Sequence, residues 1–193
     1  MPIEIESKVA VESFDAVVER LGALGADHVA DMLECNVFFD RPDASLRLND
    51  RGLRVRSIVE SSGRASCVMT HKGPRRPGKL KLREEIELEV ASVDDAAAML
   101  AALGYEPMLR FEKRRSRYAL AGCRVELDEL PHIGRFVEVE GPSESAVVEV
   151  QGLLGLDGRE PVTEGYAAML RAYLDRHGLD VEFIRFEAGA APG

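Results

Sequence analysis

Several stretches of this sequence carry charged side chains at alternate positions with apolar residues between them. Glu4-Ile5-Glu6-Ser7-Lys8 sets two carboxylates and an ammonium group on one side. Leu53-Arg54-Val55-Arg56 aligns two guanidinium groups, and Cys67-Val68-Met69-Thr70-His71-Lys72 ends on an amine. Arg83, Glu85 and Glu87 line up in the next such run, then Lys113 with Arg115, Arg124 with Glu126 and Asp128, and Glu138 with Glu140. If Lys8, Arg54, Arg56, Lys72, Arg83, Lys113 and Arg115 converge, they suit a linear polyphosphate, because guanidinium forks engage phosphate oxygens bidentately and lysine adds point charge. Glu4, Glu6, Glu85, Glu87, Glu126, Asp128, Glu138 and Glu140 repel such an anion unless a cation stands between. Carboxylates clustered without His or Cys partners favour a hard ion, Mg²⁺ or Mn²⁺, that bridges to phosphates. Both signs in one place point to a metal with a triphosphate, and phosphoryl chemistry asks mainly for positioning and charge neutralisation.

These side chains converge only if strands present them on one face. Period-two alternation is the strand signature, and here the polar face is almost purely ionic. Between the strands, apolar stripes of helical period predict four helices. The first spans about 13–25, capped by Ser13, with Phe14, Val17, Val18, Leu21 and Leu24 on its buried face. The second spans about 93–104, with Asp94 or Asp95 near its start and Met99, Leu100 and Leu103 inside. The third, about 143–155, is capped by Ser143; the fourth, about 163–177, starts near Thr163 and buries Tyr166, Met169, Leu170, Tyr173 and Leu174. Gly25, Gly104, Gly155 and Gly178 stand where left-handed C-caps belong.

The chain also echoes itself. Glu4-Ile5-Glu6 and Glu85-Ile86-Glu87 each open a strand-to-helix unit, and these units close on Leu24-Gly25 and Leu103-Gly104. Two similar halves follow, each a strand, a helix and about three antiparallel strands, divided by the breaker-rich and cationic linker Lys72–Lys79. Eight antiparallel strands close readily into a barrel. The helices need an apolar sheet face to cover, and the Ile, Val and Leu sides of the strands are the ones available. The charged sides therefore turn inward and line a wet tunnel, since unpaired buried ions cost several kcal/mol each. The expected architecture is α+β: an eight-stranded closed antiparallel barrel of two similar halves, with helices packed on the outside, forming one domain over 1–187 and a disordered tail over 188–193.

The 193 residues are 46% hydrophobic and 31% charged, with 34 acids against 25 bases. That acidic balance argues against a protein that coats nucleic acid through a global basic field. No apolar run approaches the roughly 20 residues that span a bilayer, and Met1–Glu6 shows no secretory leader. Cys35, Cys67 and Cys123 are odd in number and far apart, which reads as reduced structural thiols in a cytoplasm.

Taken in order, these residues resemble the CYTH family, the triphosphate tunnel metalloenzymes. Glu4-Ile5-Glu6-Ser7-Lys8 matches the family's ExExK signature. Gly52-Leu53-Arg54-Val55-Arg56, Thr70-His71-Lys72-Gly73-Pro74, Arg83–Glu87, Lys113–Arg115, Leu127-Asp128 and Gly134–Glu140 follow in the family's order over about 3–175. The resemblance implies a tunnel holding a triphosphate beside one or two divalent metals. It puts Glu4, Glu6, Asp128, Glu138 and Glu140 on the metal side. Lys8, Arg54, Arg56, Lys72, Arg83, Lys113 and Arg115 fall on the phosphate side, and Glu85 and Glu87 orient the basic groups. Glu4, Glu6, Lys8 and Lys72 form the implied catalytic set. Family activities include class IV adenylyl cyclases, thiamine triphosphatases and inorganic tripolyphosphatases. Leu127–Gly134 and Val37-Phe38-Phe39-Asp40 look closest to the cyclase-like branch.

The expected function is thus Mg²⁺- or Mn²⁺-dependent hydrolysis of inorganic tripolyphosphate or an organic triphosphate. Cyclisation of ATP to cyclic AMP and pyrophosphate is one alternative, and metal-assisted binding without turnover is another. The expected partner is a small-molecule triphosphate, with no nucleic acid and no membrane, and the chain is a monomer or homodimer. Glu126 is left between lining the tunnel and its mouth, Arg117 and Arg124 read as rim, Tyr166 and Tyr173 as helix core, and 73–79 as a lid or entrance.

Overall fold

Strands form where the alternation predicts them, and their inner and outer faces differ in chemistry as expected. The computed structural model describes residues 3–77 and 80–187; Gly78 and Lys79 of the predicted linker, and the tail expected to be disordered, lie outside that range. The first half runs β1 (Ile3–Val11), α1 (Asp15–Ala23), β2 (Asp27–Asp40), a single-turn α2 (Ser45–Leu48), β3 (Gly52–Glu60) and β4 (Ala65–Arg76). The second repeats the plan with β5 (Lys81–Glu89), α3 (Val93–Ala102), β6 (Glu106–Leu120), β7 (Cys123–Leu130) and β8 (Gly134–Glu140). After them come α4 (Glu144–Leu153), α5 (Tyr166–His177) and the two-residue β9 (Phe183–Ile184).

Eight antiparallel strands follow the order β2-β3-β4-β5-β1-β8-β7-β6, and β2 pairs with β6 to close the barrel. The halves meet through matching strands, β1 on β5 and β2 on β6. Closure removes the open sheet edges that would otherwise invite aggregation. Two short segments finish the wall: Pro161 bridges to Val9 beyond the β1–β5 ladder, and β9 runs parallel to β6 at Arg110 and Phe111.

The helices cover the apolar strand faces. Val17 and Leu21 of α1, with Val147 and Val150 of α4, pack on Val9, Val125, Leu127, Val137 and Val139. Ala96 and Leu100 of α3 pack on Val37, Leu53, Val55 and Cys67. Leu170 and Leu174 of α5 join Leu109, Phe111 and Phe136. These last three share strand faces with Lys113, Arg115 and Glu138 by period two, so α5 lies across an end of the barrel interior. The three cysteines are free, and no helix among the described residues is long and apolar enough to cross a membrane.

Some local expectations change. Ser143 caps α4 as expected, accepting from the Ala146 amide at 3.2 Å, and Asp94 and Asp95 lie in the first turn of α3 as expected, with Ser92 as its cap. Helix α1 starts at Asp15 with Phe14 at its cap position, although Ser13 Oγ still accepts from the Asp15 amide at 3.1 Å. Helix α5 begins at Tyr166 rather than near Thr163, because Val162 donates to the Lys8 carbonyl at 2.7 Å and holds the preceding segment extended. Met99 and Leu103 of α3 are exposed, since the sheet beneath meets only the Ala96–Leu100 side. Most of the predicted linker is strand: β4 continues to Arg76 through a register shift between Lys72 and Arg75. A bulge tolerates Pro74, whose missing N–H costs no ladder bond there.

Leu170 is fully buried and Met99 is 64% exposed. Leu170→Ala is expected to cost about 2–5 kcal/mol in a urea titration, and Met99→Ala less than about 0.5 kcal/mol. Equal losses would contradict the placement of α5 on the core.

Candidate functional site

The inner faces of the strands enclose a cavity of about 1170 Å³. Of the residues singled out in the sequence, Glu4, Glu6, Lys8, Arg54, Arg56, Lys72, Arg83, Glu85, Glu87, Lys113, Arg115, Glu138 and Glu140 all line it. Asp128 does not; it is wholly buried behind Arg115, Lys113 and Tyr166. Charge at this density survives burial only if opposite signs meet. The pairings separate the residues into a neutralised framework and an under-neutralised remainder.

Arg115 is the hub of the framework. Its guanidinium bonds Asp128 and Glu126, and its Nη2 donates to Glu138 Oε2 at 2.7 Å. Burial alone would weaken its hold on the proton, but Asp128, Glu126 and Glu34 raise it well above the ordinary arginine value. Glu34, fully buried, faces Arg56 at 3.0 Å and Lys113 at 3.1 Å. Burial would raise its carboxyl; Arg56, Lys113 and Arg115 overcome that and hold it well below the usual carboxylate range. Lys113 also reaches Asp128 at 3.2 Å, and Arg56 donates to Asn36 Oδ1 at 3.0 Å. Lys81 pairs with Glu6.

A second group of cations is not satisfied in this way. Burial, with Arg56 beside it, lowers Arg54 to about 10. Arg54 Nε is buried without a hydrogen-bond partner, and Nη2 reaches the neutral Thr70 hydroxyl at 3.0 Å, with Glu87 at 3.6 Å. Lys72 bonds Glu85, yet burial and the nearby Arg54 bring it down to about 8. Lys8 is lowered by burial too, with Glu138 only at 3.7 Å. Arg83 spends its donors on the carbonyls of Gly73 and Asp50 and is likewise lowered by burial. Glu138, Glu87, Glu85 and Asp50 are the carboxylates near Lys8, Arg54, Lys72 and Arg83 in turn, so these four cations are less fully neutralised than Arg115 and Lys113.

The carboxylates show the converse crowding. Glu4 hydrogen-bonds both Glu85 and Glu140, and burial followed by the Glu85 contact raises its carboxyl. Burial lifts Glu140 to about 7 against the pull of Arg124, helped by Glu4. Glu4 Oε2 is buried with no hydrogen-bond partner. Oxygen donors with shared protons and an orphaned acceptor fit a hard divalent cation. The five carboxylates assigned to the metal side do not converge: Glu6 belongs to Lys81, and Glu138 and Asp128 belong to Arg115. No three His, Cys, Asp or Glu side chains stand together as a preformed metal cluster among the described residues. Glu4 and Glu140 remain as the pair that could hold the ion, Glu140 being bonded also by Arg124.

Several site residues escaped sequence reasoning. Glu34 and Asn36 continue the alternation of β2, and Lys81 extends that of β5, so both signals were present. Thr70 was read as part of a motif but not as the acceptor for Arg54. Tyr166, read as helix core, does pack on the cluster of Leu170, Leu174 and Phe136, and it also donates its hydroxyl to Asp128 Oδ2 at 2.9 Å and faces Lys8. Glu126 is inside the barrel, bonded by Arg115 and Arg117. Arg117 and Arg124 are partly exposed and also line the cavity, with Arg124 bonded to Glu140. Arg75 and Arg76 of the supposed lid are strand residues held by Asp50 and Glu84.

Residues 2–148 match the CYTH domain. The adenylate cyclase CyaB of Aeromonas hydrophila is 33% identical over 137 residues, 70% of this chain and 67% of that protein. Among solved structures, PH1819 of Pyrococcus horikoshii superposes with a TM-score of 0.77 at 26% identity, covering 88% of this chain and 99% of its own. HpAC1 from Hippeastrum, which bears an adenylyl cyclase name and is described with a dominant triphosphatase activity, superposes with a TM-score of 0.63 at 21% identity, covering 94% and 98%.

Glu34 sits among three cations, Arg56, Lys113 and Arg115, and its carboxylate is the one that pairs with Arg56. Its depressed carboxyl contributes stability that is fully present above the ordinary glutamate pKa and fades as pH falls below it. Glu34→Gln is expected to cost about 3–5 kcal/mol at pH 7 and to flatten the acid limb of a urea-midpoint profile between pH 7 and 3. A variant with wild-type stability across that range would remove Glu34 from the framework.

Proposed function

This chain belongs to the CYTH domain family, and from that premise we propose that it is a divalent-metal-dependent enzyme that draws a small triphosphate into the ionic cavity and hydrolyses it. The observation that carries the reading is the group of under-neutralised cations, Lys8, Arg54, Lys72 and Arg83, lining the same cavity as Glu4 and Glu140. A polyanion supplies the negative charge those cations lack. A Mg²⁺ or Mn²⁺ ion held by Glu4 and Glu140 would neutralise phosphate oxygens that these carboxylates would otherwise repel.

The chain's own residues bind and orient. Arg54, with a free Nε and a buried fork, engages phosphate oxygens bidentately. Lys8 and Lys72 add point charges, and all three absorb the charge that builds on the leaving phosphates. Glu85 and Glu87 hold Lys72 and Arg54 in place. Arg115 and Lys113, already neutralised, keep the wall rigid and shape the local field. In hydrolysis a water oxygen bonds to phosphorus as the bridging P–O bond breaks and pyrophosphate or a diphosphate departs. The triphosphatase description of HpAC1 supports this outcome. The relationship to CyaB supports a second reading, attack by a ribose hydroxyl of ATP on the α-phosphorus with loss of pyrophosphate.

Two measurements test the reading. With Mg²⁺ or Mn²⁺ present, phosphate is expected from tripolyphosphate faster than cyclic AMP from ATP; cyclic AMP as the main product would select the cyclase, and no product from any triphosphate would remove catalysis. The second is pH dependence. Lys72 is cationic below about 8 in the free protein and loses its proton above that value. Calorimetric affinity for tripolyphosphate is therefore expected to weaken as pH rises through about 8, and Lys72→Arg to shift that decline upward. Superimposable profiles for the two proteins would show that Lys72 does not hold the ligand.

A further inference from the structure

Lys8 is held by the segment that leads into α5. Val162 donates to the Lys8 carbonyl at 2.7 Å, and the Lys8 ammonium donates to the Glu164 carbonyl at 2.6 Å. Tyr166, the first residue of α5, lays its ring against the same ammonium, with Nζ 4.1 Å from the ring centroid. The ring cannot turn away easily: its hydroxyl is bonded to Asp128, and Phe136 packs edge-on against it at 5.2 Å. Lys113 lies 5.5 Å from the same centroid, so the ring is close to two cations of the cavity wall.

A lysine ammonium has three N–H donors on a flexible stem and no preferred plane. Inside a barrel it needs negative potential, yet each hydrogen bond that supplies it uses a donor. An aromatic face attracts the cation without offering an oxygen acceptor. Around Lys8 one donor goes to Glu164, and Glu138 at 3.7 Å is beyond hydrogen-bond range. The ring then provides attraction while leaving N–H groups for a ligand.

We propose that Tyr166 is a positioning residue for Lys8, its ring face and the Glu164 carbonyl fixing the ammonium so that seating of α5 and presentation of Lys8 to a phosphate chain are one event. The proposal rests on the triphosphate-binding reading of the cavity. It also assigns α5 a part in binding, because the ring arrives only when the helix start is docked between Asp128 and Phe136.

The test is calorimetric binding of tripolyphosphate to the full chain, with and without Mg²⁺, in a double-mutant cycle. Tyr166→Phe keeps the ring and is expected to bind within about threefold of wild type. Tyr166→Leu keeps apolar bulk but loses the ring face and is expected to bind about tenfold more weakly. In a Lys8→Ala background the same Leu change is expected to have no further effect. Thermal melts confirm that the variants are folded; if the Leu variant is not, Tyr166→Met replaces it with the same expectations. Wild-type affinity in the Leu or Met variant, or the same loss with and without Lys8, would overturn the assignment. Failure of the wild-type chain to bind tripolyphosphate would instead overturn the reading of the cavity on which it rests.

Discussion

Closing these strands with their ionic faces inward imposes one constraint: nearly every buried charge must find its opposite within a few ångströms. The cost of desolvating an unpaired ion is several kcal/mol, comparable to the whole stability of a domain. Arg115 answers Asp128, Glu126 and Glu138 together, and Glu34 answers Arg56 and Lys113. These contacts join neighbouring strands along the stretch β3-β2-β6-β7-β8, so they tie that part of the wall together on its inner face, where apolar packing would otherwise stand. The apolar residues are displaced to the outer face, where α1, α3 and α4 cover them.

Against that framework, the charges left over become informative. Arg54 has a buried donor without an acceptor, and Glu4 has a buried acceptor without a donor. A fold under selection for stability alone would pair or remove such groups, since each orphan costs of the order of 1–3 kcal/mol. Asn36 Nδ2 and Glu34 Oε2 are also without a hydrogen-bond partner, and Arg54, Glu4 and Asn36 line one cavity. A polyanion and a cation bound together, as proposed, would meet Arg54 Nε and Glu4 Oε2 respectively. Binding and stability are in this sense drawn from the same electrostatic account.

The barrel and the inward turn of Glu4, Arg54, Arg115 and Glu138 were legible because period-two alternation is local and the helices had only the aliphatic faces to cover. The pairings were less so. Which carboxylate meets Arg115 depends on the stagger of β6, β7 and β8, a quantity that no single strand encodes. Asp128 shows the consequence: its place on the strand was readable, but the Arg115 fork, Lys113 and the Tyr166 hydroxyl that surround it come from distant segments. Tyr166 was hidden for another reason. Its helical spacing from Leu170 and Leu174 is that of an ordinary core residue, and only the extended 161–164 segment brings the start of α5 against Lys8. The linker misled because Gly73 and Pro74 are breakers in isolation, whereas in the sheet they sit at a bulge.

The internal repeat carries a last consequence. The two halves share their order of elements, yet beyond the Glu-Ile-Glu common to β1 and β5 their corresponding strands bear opposite charge. Strand β3 brings Arg54 and Arg56 where β7 brings Glu126 and Asp128; β2 brings Glu34 where β6 brings Lys113 and Arg115. Strands β2 and β6 also pair directly, setting Glu34 opposite Lys113 in register. Had both halves kept one sign, the barrel could not have closed over its own repulsion. Inversion of sign between the repeats lets them neutralise each other, and it leaves a single polar site in place of two equivalent ones. The surplus cations and the crowded carboxylates then lie where that cancellation is incomplete, at Arg54 and Lys72 on β3 and β4 and at Glu4 and Glu140 on β1 and β8.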